Sequence, residues 1–411
     1  MKISTSKLYT FLLLLVLFLQ LYLPSFKANI FIQIAVLMFL VITNNIGFSN
    51  SFLKEITPLL ILFGIGFIGS VVYQNQLFQF FKDVFHFIKP LTGILVGYLL
   101  VRKINDFSTF IKSIIYLGIF SAFIHFIIIL FYSNLGSVSG IREFGKDNYL
   151  ELFSLMFLVF YKKFQGKKMF QNPFVHKVIV LALLLSFMLY LSRTMIVLAV
   201  VILFSVYGYN KITINTIKMF SLLCVSVILL YTYLFSVKID RNGKGIESFL
   251  YKIKIAPEEI FTPKIDKNNH QKLWDHWRAY EAIRAFALME QKPGSLYIGT
   301  GYGSLVNLKL YAPLTGEKKG MKYISDLHNG YVYILYKTGI ISLLIYLFFL
   351  FKLYTRAYLK PTFSKVFISA FGIIYLFSTL TITGVYNSRD IIIILLGGFL
   401  FFDAQKKEIN E

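Results

Sequence analysis

The feature that most constrains this chain is a series of long apolar runs that follow one another from Leu8 to Phe402. Each run is about 17 to 25 residues long, which as a helix is enough to cross about 30 Å of hydrocarbon. Hydrophobic residues make up 57% of the 411-residue sequence, and the mean hydropathy is +0.67. A water-soluble fold would have to distribute these runs over two or three cores. The sequence therefore predicts one all-α, polytopic membrane protein.

The apolar runs predict about twelve transmembrane helices and one large loop. The expected spans are residues 8–25, 29–46, 56–74, 84–101, 110–132, 149–165, 174–192, 194–209, 215–236, 329–351, 364–385 and 389–403. Helices 1–9 then occupy residues 1–236, a partly helical extracytoplasmic loop occupies 237–327, and helices 10–12 with a short tail occupy 328–411. We expect all three parts to form one integrated membrane domain.

The distribution of positive charge predicts the orientation of these helices. The formal net charge is +22, yet the lysines and arginines do not gather in a soluble basic domain with interleaved aromatic residues, so no nucleic-acid partner is predicted. They collect instead in the short loops of one face, for example at Lys54, Lys162 and Lys352. Short loops rich in lysine and arginine stay in the cytoplasm. We therefore expect both termini in the cytoplasm and the large loop outside.

The large loop contains a predicted helix followed by a glycine-rich turn. Apolar residues at helical spacing predict one helix over residues 271–291, with a stripe formed by Leu273, Trp277, Tyr280, Ile283, Ala287 and Leu288. Arg278 and Glu281 are three residues apart in it and can form an ion pair. Pro293 ends the helix, and GTGYG from Gly299 predicts a tight turn. A dinucleotide fingerprint would need a βαβ unit here, which the sequence does not provide, so nucleotide binding is not predicted.

His328 lies where the polar loop meets the next apolar run, in the segment DLHNGYVYILYKTG. A neutral imidazole is available near physiological pH and can take a proton from an attacking hydroxyl. A lone histidine is more often structural, but Asp326, Asn329 and the start of a helix accompany this one. The other histidines are weaker candidates, because they lie in apolar spans, in a cytoplasmic loop or in the outer-loop helix region: His86, His125, His176, His270 and His276.

Three arginines are predicted on the outer face near membrane depth, where each needs a partner or a use. Arg193 occupies a three-residue polar break between two apolar runs. It either snorkels at a helix end or acts as a fixed donor for a phosphate or pyrophosphate. Arg389 precedes Asp390, and a structural role at the start of the last helix is favoured. Arg142 belongs to the charged segment GIREFGKDN, which is either a solvated loop face or a substrate entry.

The sequence contains no recognisable metal or nucleophile motif. HExxH, CxxC and GxSxG patterns do not occur, and the first outer loop, residues 26–28, lacks acidic residues. We therefore expect no metal and no cofactor. In a reaction at phosphate, arginines would then have to offset the negative charge.

Three segments resemble the bacterial O-antigen ligase and O-antigen polymerase superfamily. LSRTMIVLAVVIL is similar to the family's Ser-Arg pair opening a span, and WDHWRAYEAIRAF with GTGYGS is similar to its outer-loop helix and glycine turn. DLHNGYVYILYKTGIISLLIYL resembles its His-Asn motif with a glycine about ten residues later. Members commonly carry an arginine just before the helix tryptophan. Here that role is left open between His270, Lys272 and Arg278.

The resemblance implies a metal-independent glycosyltransferase in the bacterial inner membrane. It would move a glycan from undecaprenyl pyrophosphate to an acceptor sugar hydroxyl at the outer leaflet, where the acceptor is lipid A core for a ligase or a lipid-linked repeat for a polymerase. By this resemblance, His328 assists the acceptor hydroxyl, and Arg193 and Arg278 bind the pyrophosphate. Further substrate contacts are expected from Arg142, Asn329, Tyr331 and Arg389.

Two other classes of protein remain as alternatives. A polysaccharide-related transporter or flippase would also have about twelve helices and buried charges, but transporters usually show internal repeats and broken helices at the membrane midplane. In this sequence the unusual charges gather at one face instead. A structural assembly protein would use that face only to dock partners.

Overall fold

The fold is a bundle of apolar helices carrying a partly helical loop. The computed structural model describes residues 5–23, 25–43, 47–133, 141, 147–241, 243, 246–262, 265, 269–314 and 320–408. Over these ranges the chain is mostly helical with one small sheet, so the predicted all-α polytopic class is confirmed. Arg142 lies outside the described residues.

Each predicted span corresponds to a helix of the described chain. These helices are α1 (Thr5–Tyr22), α2 (Phe26–Thr43), α3 (Asn50–Tyr73), α4 (Leu77–Ile104), α5 (Phe107–Tyr132), α6 (Tyr149–Gln165), α7 (Pro173–Leu189), α8 (Arg193–Val206) and α9 (Ile214–Ser236), followed after the loop by α15 (Gly330–Tyr354), α16 (Phe363–Thr381) and α17 (Ile392–Glu408). Within the described ranges, eight are long and apolar enough to cross a membrane, namely α1–α5, α9, α15 and α16. Helices α7, α8 and the apolar part of α17 are shorter.

Helices α4 and α17 form the centre of the bundle. Their backbones approach closely because glycines face them on both sides: a Cβ atom at Gly97 would overlap the carbonyl of Ile394, and one at Gly397 would overlap the carbonyl of Ile94. Small residues at such contacts are the usual means by which membrane helices pack.

The outer loop contains α10 (Glu247–Lys254), α11 (Glu258–Phe261), α12 (His270–Asp275), α13 (Trp277–Met289), α14 (Ser295–Ile298) and an antiparallel pair, β1 (Val306–Ala312) with β2 (Met321–Ile324). The prediction of one helix over 271–291 was wrong, because the chain breaks at His276, whose φ is −116° and ψ is 27°. Trp277 and Tyr280 are buried as predicted, whereas Ile283 is exposed.

The glycine turn docks against a break in α15. Gly299, Gly301 and Gly303 all have positive φ, as the predicted tight turn requires. The amide of Thr300 donates to the carbonyl of Tyr336 at 2.7 Å, and that of Gly301 donates to Lys337 at 3.0 Å. These carbonyls are free to accept because α15 breaks at Gly339, where φ is 80°.

A fully buried ion pair joins α4 to α15 and to the segment before His328. The ammonium of Lys337 lies 2.5 Å from Oδ2 of Asp83, and both side chains are 0% exposed. Asp83 also accepts hydrogen bonds from the amide of Gly303 at 2.6 Å and from the hydroxyl of Ser325 at 2.6 Å. One carboxylate therefore holds the glycine turn, α15 and the end of the outer loop together.

Candidate active site

His328 is held by a carboxylate of the outer-loop helix. Its backbone amide donates to Oε2 of Glu281 at 2.9 Å, and its ring Nδ1 lies 3.0 Å from both oxygens of the same carboxylate. The Glu281 side chain is 2% exposed, whereas that of His328 is 53% exposed. The imidazole is therefore anchored on one edge and open on the other.

The surroundings of His328 favour its charged form. The hydrogen bond to Glu281 raises the pKa of His328 above its ordinary value, while burial acts in the opposite direction. The charge of Arg278 also lowers the pKa of His328, and Asp326 raises it. The hydrogen bond to Glu281 is the largest of these effects, so the pKa of His328 is raised on balance.

Two arginines from separate elements share one carboxylate. Arg278 Nη1 lies 2.7 Å from Oε2 of Glu259, and Nη2 of Arg193 lies 3.3 Å from both oxygens of that carboxylate. Arg193 opens α8 and also donates to the carbonyl of Lys252. The buried Nε of Arg278 has no hydrogen-bond partner within the described ranges. The pair therefore concentrates positive charge around one carboxylate.

Helix α13 brings these two groups together. Arg278 and Glu281 are three residues apart, which places them on one face of the helix, one turn from each other. The predicted ion pair between them does not form, because Arg278 binds Glu259 and Glu281 binds His328. Through this face the structure brings Arg193, Arg278 and His328 into one site.

Of the three basic residues left open for the outer-loop role, the structure favours Arg278. His270 and Lys272 both lie on the exposed face of α12. Arg278 is partly buried and contacts the same carboxylate as Arg193. Its position one turn from Glu281, the partner of His328, distinguishes it from the other two.

A second charged group lies on the first turns of α4. Asp326 is 3.6 Å from the ammonium of Lys82 and 3.4 Å from Nδ1 of His86. Sequence reasoning set His86 aside because it lies in an apolar run. The sequence does contain a signal for this group: Lys82, His86 and Lys89 are spaced at i, i+4 and i+7, which places all three on one face of a helix.

Asn329 and Tyr331 build the start of α15. The side-chain oxygen of Asn329 caps the helix by accepting from the amides of Tyr331 at 3.1 Å and Val332 at 3.3 Å. The hydroxyl of Tyr331 donates to the carbonyl of Leu376 at 2.6 Å. Both side chains thus have local structural partners beside the site.

Arg389 has no contact with the group around His328 among the described residues. It is partly buried, which lowers its pKa. Among the residues described, no hydrogen bond or ion pair links its guanidinium to His328, Arg193 or Arg278. Asp390 lies two residues before α17, where its carboxylate accepts from the amide of Ile392 at 2.9 Å and from the hydroxyl of Tyr375 at 2.6 Å. The structural role expected for the acid at this helix start is therefore present.

Residues 178–347 match a family model described as O-antigen ligase. The match supports the predicted resemblance to the O-antigen ligase and polymerase superfamily. The O-antigen ligase segment contains Arg193, Glu259, Arg278, Glu281 and His328, whereas the charged residues of α4 lie outside it. No curated protein matches the sequence. The match and the apolar helices together support a bacterial multi-pass membrane protein of a glycan-transferring class.

Proposed function

We propose that this protein transfers a glycan from undecaprenyl pyrophosphate to the hydroxyl of an acceptor sugar at the outer leaflet of the inner membrane. The observation that supports the proposal is one face of α13, which carries both Arg278, whose partner Glu259 also binds Arg193, and Glu281, which binds His328. An anion-binding pair beside a base is what displacement of a pyrophosphate by a hydroxyl requires. The expected orientation, with both termini in the cytoplasm, puts this site on the outer side.

Arg193, Arg278 and His328 carry out the steps of the transfer. Arg193 and Arg278 bind the pyrophosphate oxygens, replacing the carboxylate of Glu259 as partner. His328 accepts the proton of the acceptor hydroxyl on Nε2 while the oxygen bonds to the anomeric carbon. The bond from that carbon to the pyrophosphate oxygen breaks, and its electron pair leaves with undecaprenyl pyrophosphate. The imidazolium then releases its proton to water.

This scheme uses neither a nucleotide nor a metal, because the donor carries its own leaving group and the arginines stabilise the charge that develops on it. Guanidinium groups suit this role since they remain charged and present a fork of N–H donors. Attack from the face opposite the pyrophosphate inverts the anomeric centre. Recovery of a covalent glycosyl-enzyme adduct would contradict this direct displacement.

The experiment that tests the proposal is glycan display in a deletion strain complemented with wild type, His328→Ala or Arg193→Ala. Surface glycan is followed by gel and glycan stain, with the membrane level of each variant measured in parallel. His270→Ala and Lys272→Ala serve as matched controls, since both residues belong to the same loop but lie exposed. We expect long surface glycan to be lost in the first two variants and kept in the controls.

The residual pattern also decides the acceptor. A single repeat attached to lipid A core indicates a polymerase, and unmodified core with accumulated lipid-linked polymer indicates a ligase. Unchanged glycan in both His328→Ala and Arg193→Ala at normal protein levels would refute transfer at this site and favour a transporter, flippase or assembly protein.

A further inference from the structure

The carboxylate of Glu281 has an arrangement that the transfer scheme above does not use. It is buried on α13, yet it accepts hydrogen bonds from both the backbone and the ring of a half-exposed histidine 47 positions later in the chain. Among the described residues its side chain has no ion-pair partner besides His328, since Arg278 binds Glu259. A buried carboxylate is costly unless its hydrogen bonds compensate for lost hydration. The hydrogen bonds to His328 are therefore what compensates for the burial of the Glu281 carboxylate.

We propose that Glu281 is a positioning residue that fixes the tautomer and orientation of His328 and stabilises the imidazolium formed during glycan transfer. The inference rests on the proposed function, because it assigns a role to Glu281 only if His328 takes the acceptor proton. It names a residue that neither the resemblance nor the arginine pair supplies.

The geometry determines which ring nitrogen is free to act. An ionised carboxylate can only accept hydrogen bonds, so the ring nitrogen facing it, Nδ1, carries the hydrogen. In the neutral ring Nε2 is then unprotonated and points away from the buried carboxylate. The second bond, from the backbone amide of His328, prevents rotation of the segment relative to α13. Glu281 thus presents Nε2 outward as a base.

The charges around the imidazole set the direction of the pH dependence. Glu281 and Arg278 face it from α13, and Asp326 faces it from its own segment with Lys82 and His86 behind. The Glu281 hydrogen bond raises the pKa of His328, so more of the histidine is protonated and inactive as a base at low pH. Removing the charge of Glu281 must lower the pKa of His328 and move the acidic limb of the activity profile to lower pH.

The test compares wild type with Glu281→Gln, which keeps the shape of the side chain and removes its charge. Glu290→Gln is the matched control, because Glu290 is exposed at the end of the same helix. Full-length protein in membranes is treated with diethyl pyrocarbonate over a range of pH, and modification of His328 is quantified by peptide mass spectrometry. Because the reagent attacks the neutral ring, the midpoint of the rate profile reports the titration of His328.

We expect the midpoint for His328 to fall in Glu281→Gln and to stay unchanged in Glu290→Gln. Glycan transfer in the same membranes should fall about tenfold or more at the plateau, since general base catalysis contributes about 10²–10⁴-fold, and its acidic limb should shift in the same direction as the midpoint. Glu281→Asp, which keeps the charge, should retain part of the wild-type midpoint.

The outcomes separate this inference from the proposed function. An unchanged His328 midpoint in Glu281→Gln refutes the positioning role, even if His328→Ala has lost transfer. Lower transfer without any shift of the acidic limb also refutes it, because that result describes a merely structural residue. Normal transfer in His328→Ala refutes the proposed function itself, whatever Glu281 does.

Discussion

Replacing Asp83 with asparagine isolates the contribution of one buried charge to this fold. Oδ2 of Asp83 accepts from Lys337 and from the amide of Gly303, and Oδ1 accepts from the hydroxyl of Ser325. In Asp83→Asn the amide oxygen can keep the first two bonds, and the new NH₂ group can donate to the Ser325 oxygen. Shape and hydrogen bonding are therefore preserved, and only the negative charge is lost.

The expected cost follows from the burial of the partner. Lys337 is 0% exposed and loses its only ion-pair partner within the described ranges, although it still donates to the carbonyl of Ser304 at 2.5 Å. Breaking a buried pair by removing one partner costs about 3–5 kcal/mol, because the other charge stays buried without compensation. The free energy of unfolding should fall by about that amount. Asp83→Asn combined with Lys337→Met should recover much of the loss, since apolar replacement of a buried pair is often close to neutral.

The assay is unfolding by sodium dodecyl sulfate in mixed micelles. The two tryptophans of the chain, Trp274 and Trp277, stack at 4.8 Å in the outer loop and report its docking, while circular dichroism follows the helices. Asp106→Asn is the control, because Asp106 caps α5 at an exposed position where asparagine caps equally well. A loss below about 1 kcal/mol in Asp83→Asn would refute the reasoning from a buried, uncompensated charge.

Three further predictions concern the site and its support. Glu259→Gln should lower the KM for the lipid-linked donor about two- to fivefold, because the donor no longer has to displace an ion pair worth about 0.4–1 kcal/mol. The control Glu258→Gln loses only a contact with His276 at 3.4 Å and should leave donor kinetics unchanged. A raised KM in Glu259→Gln would contradict the displacement of Glu259 by the donor. Arg193→Lys should reduce donor turnover at least about tenfold because lysine lacks the bidentate fork, and full activity would show that charge alone suffices. Gly339→Ala should destabilise the protein by about 2 kcal/mol or more in the detergent assay, since the φ of Gly339 is positive and a Cβ would overlap the carbonyl of Tyr297. The control Gly64→Ala has open space around it and should be neutral or stabilising. Equal effects of the two substitutions would refute the argument from the break in α15 at Gly339.

The spans could be predicted from the sequence because their signal is local. Length and hydropathy define a membrane helix without reference to its neighbours. The same holds for the start of α15, where Asn329 caps the helix, and for the glycine turn at Gly299. Each depends on residues within a few positions.

The partners within the site could not be predicted in the same way. An ion pair of Arg278 with Glu281 on an exposed helix is worth a few tenths of a kcal/mol. Such a small preference is outweighed when folding brings a buried hydrogen-bond partner, His328, to Glu281 and a second carboxylate, Glu259, to Arg278. Which partner arrives depends on how the outer loop packs, and no local pattern specifies it.

The break at His276 illustrates the same limit for secondary structure. The apolar spacing over 271–291 fits one helix, and the predicted stripe includes Ile283. In the structure the break lets α13 bury Glu281 beneath His328 and leaves Ile283 exposed. Burying a carboxylate in place of an isoleucine has no hydrophobic rationale, so its hydrogen bonds to His328 must compensate.

The position of His328 depends on residues outside the O-antigen ligase segment. Asp83 holds Ser325, three residues before the histidine, and α4 also supplies Lys82 and His86 to Asp326. Glu281 anchors the other side of the same short segment. The imidazole is therefore held from two sides, by α4 in the amino-terminal bundle and by α13 in the outer loop. Substitutions on α4 should for this reason impair transfer without any contact to donor or acceptor.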